Sequence, residues 1–326
     1  MSRDADTSHG RHDIAGEDAW LAGALGAFTP SDAVVLGLGH DTAAVRVSRD
    51  GIVIATKDVL VDGVHFELEH CGAAAAARKA LAVNLSDLAA AAAQPVGFLI
   101  GAVLPTPVSR RLFDQLMAGF AEAARVLDCP CLGGDTNAAA GPLVLSVTAL
   151  GKPGPQGVLS RAGAQVGDIL SVTGALGGSL VGRHLHFTPR VAAALALARA
   201  GVPHAMMDIS DGLSRDLPRL CRASGVGAQL VGRQIPIHPD VLPADGPGAL
   251  GHALHDGEDF ELLLAHPELS DAQRALLAAE AVQLVPIGRV VEAQHGVQIE
   301  VGGESRPLEP RGWDHLQGEG LGKGEP

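Results

Sequence analysis

Apolar and polar positions follow a two-residue period in some segments and a helical period in others, which predicts strands mixed with helices. The segments "AAVRVS" and "IVIATKDV" alternate on either side of Arg49-Asp50-Gly51, and Asp-Gly is a strong hairpin signal. Residues 73–93 are rich in alanine and leucine and long enough for a helix of about five turns. A buried strand "VGFLIGAVLP", an amphipathic helix "VSRRLFDQLMAGFAEAARVL" and a strand "GPLVLSVTALG" follow. This mixture predicts an α+β or mixed α/β fold.

A domain boundary is predicted at "GKPGPQG", residues 151–157, where two prolines and three glycines interrupt the pattern. Beyond it the mixture begins again with the strands "DILSVTG", "VQLVPIGRV" and "VQIEV" and the helices "RVAAALALARAG" and "SDGLSRDLPRLCRASG". A chain of 326 residues fits about two domains. We therefore predict domains over 17–150 and 151–316, with polar, disordered termini at 1–16 and 317–326.

Composition and charge exclude some classes of protein. The net charge of −13 argues against a nucleic-acid backbone or an anionic membrane as the main partner. The chain lacks an apolar run of 18 residues, and its N-terminus has no apolar leader segment. These features predict a soluble, cytoplasmic protein that binds neither nucleic acid nor membrane.

Aspartates at the edges of apolar segments are the strongest chemical signal in the chain. Common nucleotide signatures fail, since "GLGHDT" has Thr42 where the last glycine of G-x-G-x-x-G belongs and no Walker A motif occurs. Carboxylates are rarely buried unless they are paired, hydrogen-bonded or bound to a metal. The aspartates in question are Asp41, Asp58, Asp87, Asp135, Asp208 and Asp211.

Two interpretations of these acids stay open from the residues alone. Each could be a cap or a turn residue, as Asp211 before Gly212 or Asp135 after two glycines illustrates. Together, carboxylates on scattered loops are how proteins hold Mg²⁺ beside substrate phosphates. The glycines of "LGGDT" would let the backbone approach a phosphate, and "SDGL" would place one at a helix N-terminus.

The order of several motifs resembles one family. The motifs "GLGHDTAAV", "TKDVLVDGVHF", "KALAVNLSDLAA", "LGGDT", "LSRAGAQVGD", "DISDGLSRDL", "DGEDFEL" and "GWDH" span about residues 17–316. Their combination resembles the thiamine-monophosphate kinases of the aminoimidazole ribonucleotide synthetase-like superfamily. The late "GEDFEL", "NLSDLAA" and "GVHF" after an acid-bearing strand are the most specific of these motifs.

The resemblance implies a fold and an activity. It implies an N-terminal α/β domain that binds ATP and Mg²⁺ and pairs through its sheet in a homodimer, followed by a C-terminal α+β domain. The implied reaction is direct transfer of the ATP γ-phosphoryl group to thiamine monophosphate. Two alternatives stay open, namely another ATP-using member of the superfamily such as aminoimidazole ribonucleotide synthetase, and a catalytically weakened protein that binds thiamine phosphate or nucleotide.

The resemblance also implies site residues. Carried over position by position, the implied metal ligands are Asp41, Thr56, Lys57, Asp58, Asp87, Asp135, Asp208 and Asp211. The implied nucleotide contacts are Gly134, Asp135, Arg161 and Ser210, and the implied thiamine phosphate contacts are His65, Glu258 and Trp313. The resemblance implies no residue as a general base.

Three positions depart from the family pattern. His40 stands where the family has an aspartate before Asp41, Lys57 stands where it has a threonine, and Ala91-Ala92 replaces Met-Gly. Neutral imidazole is a poor ligand for Mg²⁺. An ammonium beside the metal would repel it, whereas Lys57 would be tolerated if that position ligates through its carbonyl oxygen. His40 and Lys57 motivate the weakened-homologue alternative.

Overall fold

The computed structural model describes residues 32–37, 40–49, 51–241 and 248–312. The termini predicted to be disordered, 1–16 and 317–326, lie outside these described residues. Within the described ranges, no helix combines the length and the apolar character that a membrane span requires.

The first half of the chain forms a six-stranded sheet. Its strands are β1 (Val34–Leu36), β2 (Ala43–Arg46), β3 (Ile52–Val61), β4 (Gln94–Pro105), β5 (Cys131–Ala139) and β6 (Val144–Lys152). Their order is β1-β2-β3-β6-β4-β5, and only the β4–β5 pair is parallel. The predicted hairpin is confirmed, because β2 and β3 pair antiparallel with Arg46 opposite Ile52.

Two helices cover one face of this sheet and leave the other face open. They are α1 (Leu68–Ala90) and α2 (Arg110–Val126). On the covered face, Phe98 of β4 lies 6.1 Å from Phe120 of α2 between ring centroids. Its neighbour Leu99 points the opposite way, and 39% of its surface is exposed. Successive side chains of a strand alternate between faces, so this alternation separates a core face from an uncovered one.

The second half forms a seven-stranded sheet in the order β13-β12-β9-β11-β7-β10-β8, in which only β12 and β9 are parallel. The strands are β7 (Ile169–Val172), β8 (Ala205–Asp208), β9 (Gly227–Val231), β10 (Leu262–His266), β11 (Val285–Val291), β12 (Val297–Val301) and β13 (Glu304–Pro307). The helices are α3 (Val191–Arg199), α4 (Leu213–Ser224), α5 (Gly248–His255) and α6 (Asp271–Ala279).

Helix α1 is buried on almost every side and joins the two halves. Leu81, Leu85 and Leu88 are at most 1% exposed and belong to the core of the first half. Further along, Ala89 packs in a cluster with Leu197 and other residues of the second half. A helix that is apolar all round needs such complete coverage. The buried polar side chains of α1, Lys79, Asn84 and Ser86, are therefore held in fixed places.

Two features differ from the sequence prediction. The helix predicted over 73–93 ends at Ala90, because the chain reverses through Ala92 at φ 48° to enter β4. Asp135, which the sequence leaves open as a turn or loop residue after two glycines, lies instead in β5, whereas Asp58 in β3 and Asp87 in α1 lie in the predicted strand and helix. Hydrogen bonding to β4 accounts for Asp135, since it pairs with Gly101.

The contact between α1 and α2 gives a first testable prediction. A Cβ on Gly119 would lie 2.6 Å from Cα of Ala74. Helix propensity alone favours alanine over glycine by about 1 kcal/mol. Overpacking costs about 1–3 kcal/mol, so we expect Gly119→Ala to lower the free energy of unfolding in urea. Ala118→Val on the exposed side of the same helix is the control and should change it by less than about 0.5 kcal/mol. A stabilised Gly119→Ala protein would contradict the packing.

Candidate active site

Three carboxylates from separate elements meet between the two halves. Oxygen atoms of Asp41, Asp87 and Asp208 all lie within 4.8 Å of one another. Asp41 precedes β2, Asp87 lies in the last turn of α1 and Asp208 ends β8. The structure thus brings together three of the six aspartates that the sequence singled out, and we call these three the acidic cluster.

The acidic cluster is held by hydroxyl groups. Thr56 donates a hydrogen bond to Oδ2 of Asp87, and Ser86 donates to Oδ2 of Asp208 at 2.5 Å. Burial raises the pKa of Asp87, and the neighbouring carboxylates of Asp58 and Asp208 raise it further. Burial and then Asp41 raise the pKa of Asp208. Hydroxyls orient these carboxylates without neutralising them, so their mutual repulsion persists.

Asp58 extends the acidic cluster toward solvent. Burial raises its pKa to about 6, against the effect of a hydrogen bond with Asp87. Its Oδ2 is buried and has no hydrogen-bond partner among the described residues. A buried unpaired carboxylate oxygen is unfavourable unless something supplies positive charge. An all-oxygen set of this kind fits a hard divalent cation such as Mg²⁺, which binds to a few carboxylates and keeps other positions for water and phosphate.

Arg161 is the guanidinium closest to the acidic cluster. It donates from Nη2 and Nε to the two carboxylate oxygens of Asp41. The neighbouring His40 is half-buried, and burial followed by the charge of Arg161 lowers the pKa of its imidazole. The lowered pKa favours the neutral form of the His40 imidazole. Its Nδ1 has no hydrogen-bond partner among the residues that the structure describes.

Lys57 lies on the opposite face of β3 from Thr56 and Asp58. Its ammonium donates to Oγ of Ser146 on the open face of the sheet. Thr56, in contrast, is 6% exposed and bonds to Asp87. Strand alternation accounts for this separation. The Lys57 ammonium therefore does not enter the acidic cluster. Residue 57 could bind a metal there only through its backbone.

A loop from the second half places Asp211 at the start of α4. The carboxylate of Asp216, one turn into the helix, accepts hydrogen bonds from the backbone N–H groups of Ser210 and Asp211 at 3.1 and 3.0 Å. Arg219 donates to Asp211 at 2.5 Å and to Asp216 at 2.9 Å. This fixes Ser210 and Asp211 at a helix N-terminus, where the backbone favours anions.

A cavity of about 970 Å³ runs from Asp58 and Asp211 to Glu258 and His65. Its far end holds an ion pair between Glu258 and the fully buried Lys79. Burial would raise the pKa of the Glu258 carboxyl, but Lys79 and His184 together outweigh that effect and the pKa is lowered. Carboxylates and the apolar Phe66, Val83 and Phe260 thus line one cavity.

The "GEDF" loop connects the two ends of the cavity. Glu258 and Phe260 both adopt positive φ angles, 55° and 51°, which are uncommon for residues other than glycine. Their backbone N–H groups donate to the carbonyl oxygens of Ser210 at 2.6 Å and Ile209 at 2.8 Å. Such strain persists only where the surroundings over-determine it. The loop that carries Glu258 is therefore fixed against the loop that carries Asp211.

Other residues implied by the resemblance lie elsewhere. Asp135 lies in β5, whose nine residues are all exposed, and is not part of the acidic cluster. A Cβ on Gly134 would lie 2.0 Å from the Ile100 carbonyl oxygen, so strand packing alone explains that glycine. Trp313 lies outside the described residues. Their implied roles stay predictions.

Sequence reasoning missed four residues that hold this site together. They are Lys79, Ser86, His184 and Asp216. A signal existed for Lys79, because it interrupts an otherwise apolar helical surface in "KALAVNLSD". His184 has no such signal, since its role depends on packing between distant parts of the chain. Asp216 resembles any acid in the first turn of a helix.

Comparison with known proteins agrees with this architecture. The profile of AIR synthase related protein, N-terminal domain, matches residues 39–152, and that of the C-terminal domain matches 153–300. Thiamine-monophosphate kinase of Rhodopirellula baltica is 36% identical over 287 residues, which cover 84% of this chain and 89% of the relative. The chain belongs to the thiamine-monophosphate kinase family. The resemblance, the mixed two-domain fold and the enzyme class predicted from the sequence are thereby confirmed.

Two solved structures of the thiamine-monophosphate kinase family extend the comparison. "AaThiL complexed with AMPPCP and TMP" has a TM-score of 0.77 at 28% identity and covers 92% of this chain and 97% of that chain. The thiamine-monophosphate kinase of Stenotrophomonas maltophilia K279a has a TM-score of 0.69 at 33% identity and covers 89% and 96%. The likeness therefore extends over both domains.

The opposite orientations of Lys57 and Asp58 give a matched pair of variants for this family member. The quantity compared is the midpoint, the Mg²⁺ concentration that gives half of the maximal shift in melting temperature. Lys57→Met should change this midpoint by less than about twofold, because the Lys57 ammonium lies on the opposite face of the sheet. Asp58→Asn should raise that midpoint at least about tenfold, since it removes a charge near the acidic cluster. Equal effects of the two variants, measured by differential scanning fluorimetry, would contradict the assigned faces.

Proposed function

We propose that the protein transfers the γ-phosphoryl group of ATP to thiamine monophosphate, giving thiamine diphosphate and ADP. Its membership of the thiamine-monophosphate kinase family and the likeness to a structure described as bound to AMPPCP and TMP support this proposal. The observation that carries it is the acidic cluster, built from both domains beside a cavity that leads to Glu258. A cleft with oxygen ligands at one end and an organic pocket at the other suits transfer from the phosphoanhydride of ATP to the phosphate of an organic monophosphate.

Mg²⁺ is the proposed metal, and the described residues fit it. Asp41, Asp87 and Asp208 would hold it, with Asp58 and Asp211 beside them and the backbone of residues 56 and 57 nearby. When bound, the metal would neutralise the charge that develops on the transferred phosphoryl group. The buried, unpaired Oδ2 of Asp58 supports a cation at this place.

The protein's own residues position the two substrates. Arg161, half-buried beside Asp41, is placed to exchange that carboxylate for a nucleotide phosphate, because a guanidinium matches either group with two hydrogen bonds. Ser210 is proposed to contact the same phosphates through its side chain, because the backbone N–H groups of Ser210 and Asp211 already donate to Asp216. Gly134 and Asp135 are proposed as further nucleotide contacts. His65, Glu258 and Trp313 are proposed to contact thiamine monophosphate at the far end.

The geometry weakens the case for a catalytically impaired homologue. Lys57 was one of two reasons to suspect impairment, and its ammonium bonds to Ser146 across the sheet. His40 replaces only a neighbour of Asp41, whose carboxylate is part of the acidic cluster. The structure therefore favours a working kinase.

Direct product analysis tests the proposal. Purified protein incubated with thiamine monophosphate, ATP and Mg²⁺ should form thiamine diphosphate and ADP in equal amounts, as resolved by chromatography. Formation of ADP together with inorganic phosphate, without thiamine diphosphate, would show a different acceptor and contradict the proposal.

Asp87 gives the sharpest test of the acidic cluster. Asp87→Asn keeps the size of the side chain and its bond to Thr56 but removes one charge. We expect kcat to fall by about 10² or more, the scale of losing one electrostatic stabiliser. Asp114→Asn, at an exposed position in α2, is the control and should retain full activity. Near-normal kcat in a folded Asp87→Asn protein would remove Asp87 from the mechanism.

We also propose that the protein is a homodimer whose subunits pair through the open face of the first sheet. Support comes from the exposed apolar side chains there, with Val59, Val96 and Leu99 exposed by 47%, 48% and 39%. Contiguous exposed apolar surface of this kind marks interaction sites, and most soluble homo-oligomers are twofold dimers.

Light scattering at micromolar concentration should give twice the monomer mass. Leu99→Asp should shift the protein to monomer, because it buries a charge in the proposed interface. Val126→Asp is the matched control, since Val126 is 54% exposed at the end of α2, away from the sheet. A monomeric unaltered protein would contradict the dimer, and a dimeric Leu99→Asp protein would contradict this interface.

A further inference from the structure

Lys79 is a fully buried lysine at the organic end of the cavity. Its Nζ donates to the His65 carbonyl oxygen at 2.5 Å and to Oε2 of Glu258, and it lies 2.8 Å from Nδ1 of His184. An ammonium has three N–H donors and no acceptor. The carbonyl oxygen and the carboxylate therefore fix the direction of the ammonium.

This arrangement also fixes the two side chains that face the cavity. Nδ1 of His184 lies 2.8 Å from Nζ of Lys79 and 2.9 Å from Oε2 of Glu258, so the three side chains form one polar network beside the cavity. Among the described residues, the polar contacts of the Glu258 carboxylate with Lys79 and His184 both involve Oε2, so Oε1 stays available to the cavity that the residue lines. The cavity therefore presents one carboxylate oxygen as an acceptor.

Stability alone does not explain the buried pair. Removing a lysine and a carboxylate from water carries a desolvation penalty that their attraction often fails to recover, and apolar replacements of equal size are commonly as stable. Lys79 also lies on α1, eight residues before Asp87, which corresponds to about 12 Å along the helix axis. The same rigid, buried helix thus fixes the organic end of the cavity relative to the acidic cluster.

We propose that Lys79 is a positioning residue for thiamine monophosphate: it holds Glu258 ionised and aimed before the substrate binds. This rests on the proposed function. The organic part of that substrate is a cation that carries an amino group, which matches the free carboxylate oxygen. Lys79 acts through Glu258 and does not itself touch the reacting atoms.

A double-mutant cycle tests this role. The proteins compared are the unaltered chain, Lys79→Met, Glu258→Gln and the double variant, with KM measured separately for thiamine monophosphate and ATP. We expect each single change to raise KM for thiamine monophosphate by about 10- to 100-fold, the scale of losing a charged hydrogen bond. The double variant should be no worse than the poorer single variant, and KM for ATP should stay within about twofold. Lys152→Met, the same substitution at an exposed strand end, is the control and should change neither constant.

The outcomes separate positioning from folding. If Lys79→Met lowers the melting temperature but leaves KM for thiamine monophosphate unchanged, the residue is structural and the inference is wrong. Fully multiplicative effects in the double variant would likewise show that Lys79 does not act through Glu258. If Lys79→Met does not fold, the double variant, which leaves no unpaired buried charge, must have the same KM for thiamine monophosphate as Glu258→Gln, and a further rise would contradict action through Glu258. Calorimetric binding of thiamine monophosphate to the unaltered protein with AMPPCP comes first, because no binding there would refute the proposed function and this inference with it.

Discussion

Repulsion among buried carboxylates is the constraint on which the rest of this structure depends. Asp41, Asp87 and Asp208 approach within 4.8 Å, and burial together with their neighbours raises the pKa of the last two. A protein tolerates such an arrangement only where the surroundings hold the groups in place and a ligand supplies positive charge. The hydroxyls of Thr56 and Ser86 provide the first condition, and the proposed Mg²⁺ provides the second.

Helix α1 carries residues that contact both the acidic cluster and Glu258, and so fixes the distance between them. It is buried between both sheets, so its polar residues cannot move independently of the domains. Asp87 near its end faces the acidic cluster, and Lys79 two turns earlier fixes Glu258 at the far end of the cavity. The strained "GEDF" loop completes the link, because it binds the backbone of Ser210. One rigid assembly therefore holds the acidic cluster and Glu258 relative to each other.

The local sequence pattern predicts much of the fold and the important acids. It does not predict which way the site side chains point or which residues they contact. The Asp-Gly hairpin and the apolar helix α1 follow from short-range sequence, and their existence is confirmed. Strand alternation predicts that Lys57 and Asp58 lie on opposite faces of β3. Tertiary packing decides that the face with Asp58 contacts the acidic cluster. His184 and Lys79 are 105 residues apart, and no periodicity predicts such a contact.

The central claim is that a divalent cation binds between these carboxylates, and anomalous scattering from crystals grown with Mn²⁺ and AMPPCP tests it most directly. Mn²⁺ prefers the same oxygen ligands as Mg²⁺ and can be located by its anomalous signal. The account predicts a peak about 2.2 Å from carboxylate oxygens of Asp41, Asp87 and Asp208. Occupied nucleotide with no peak among these three residues, or with the cation bound only elsewhere, would contradict it.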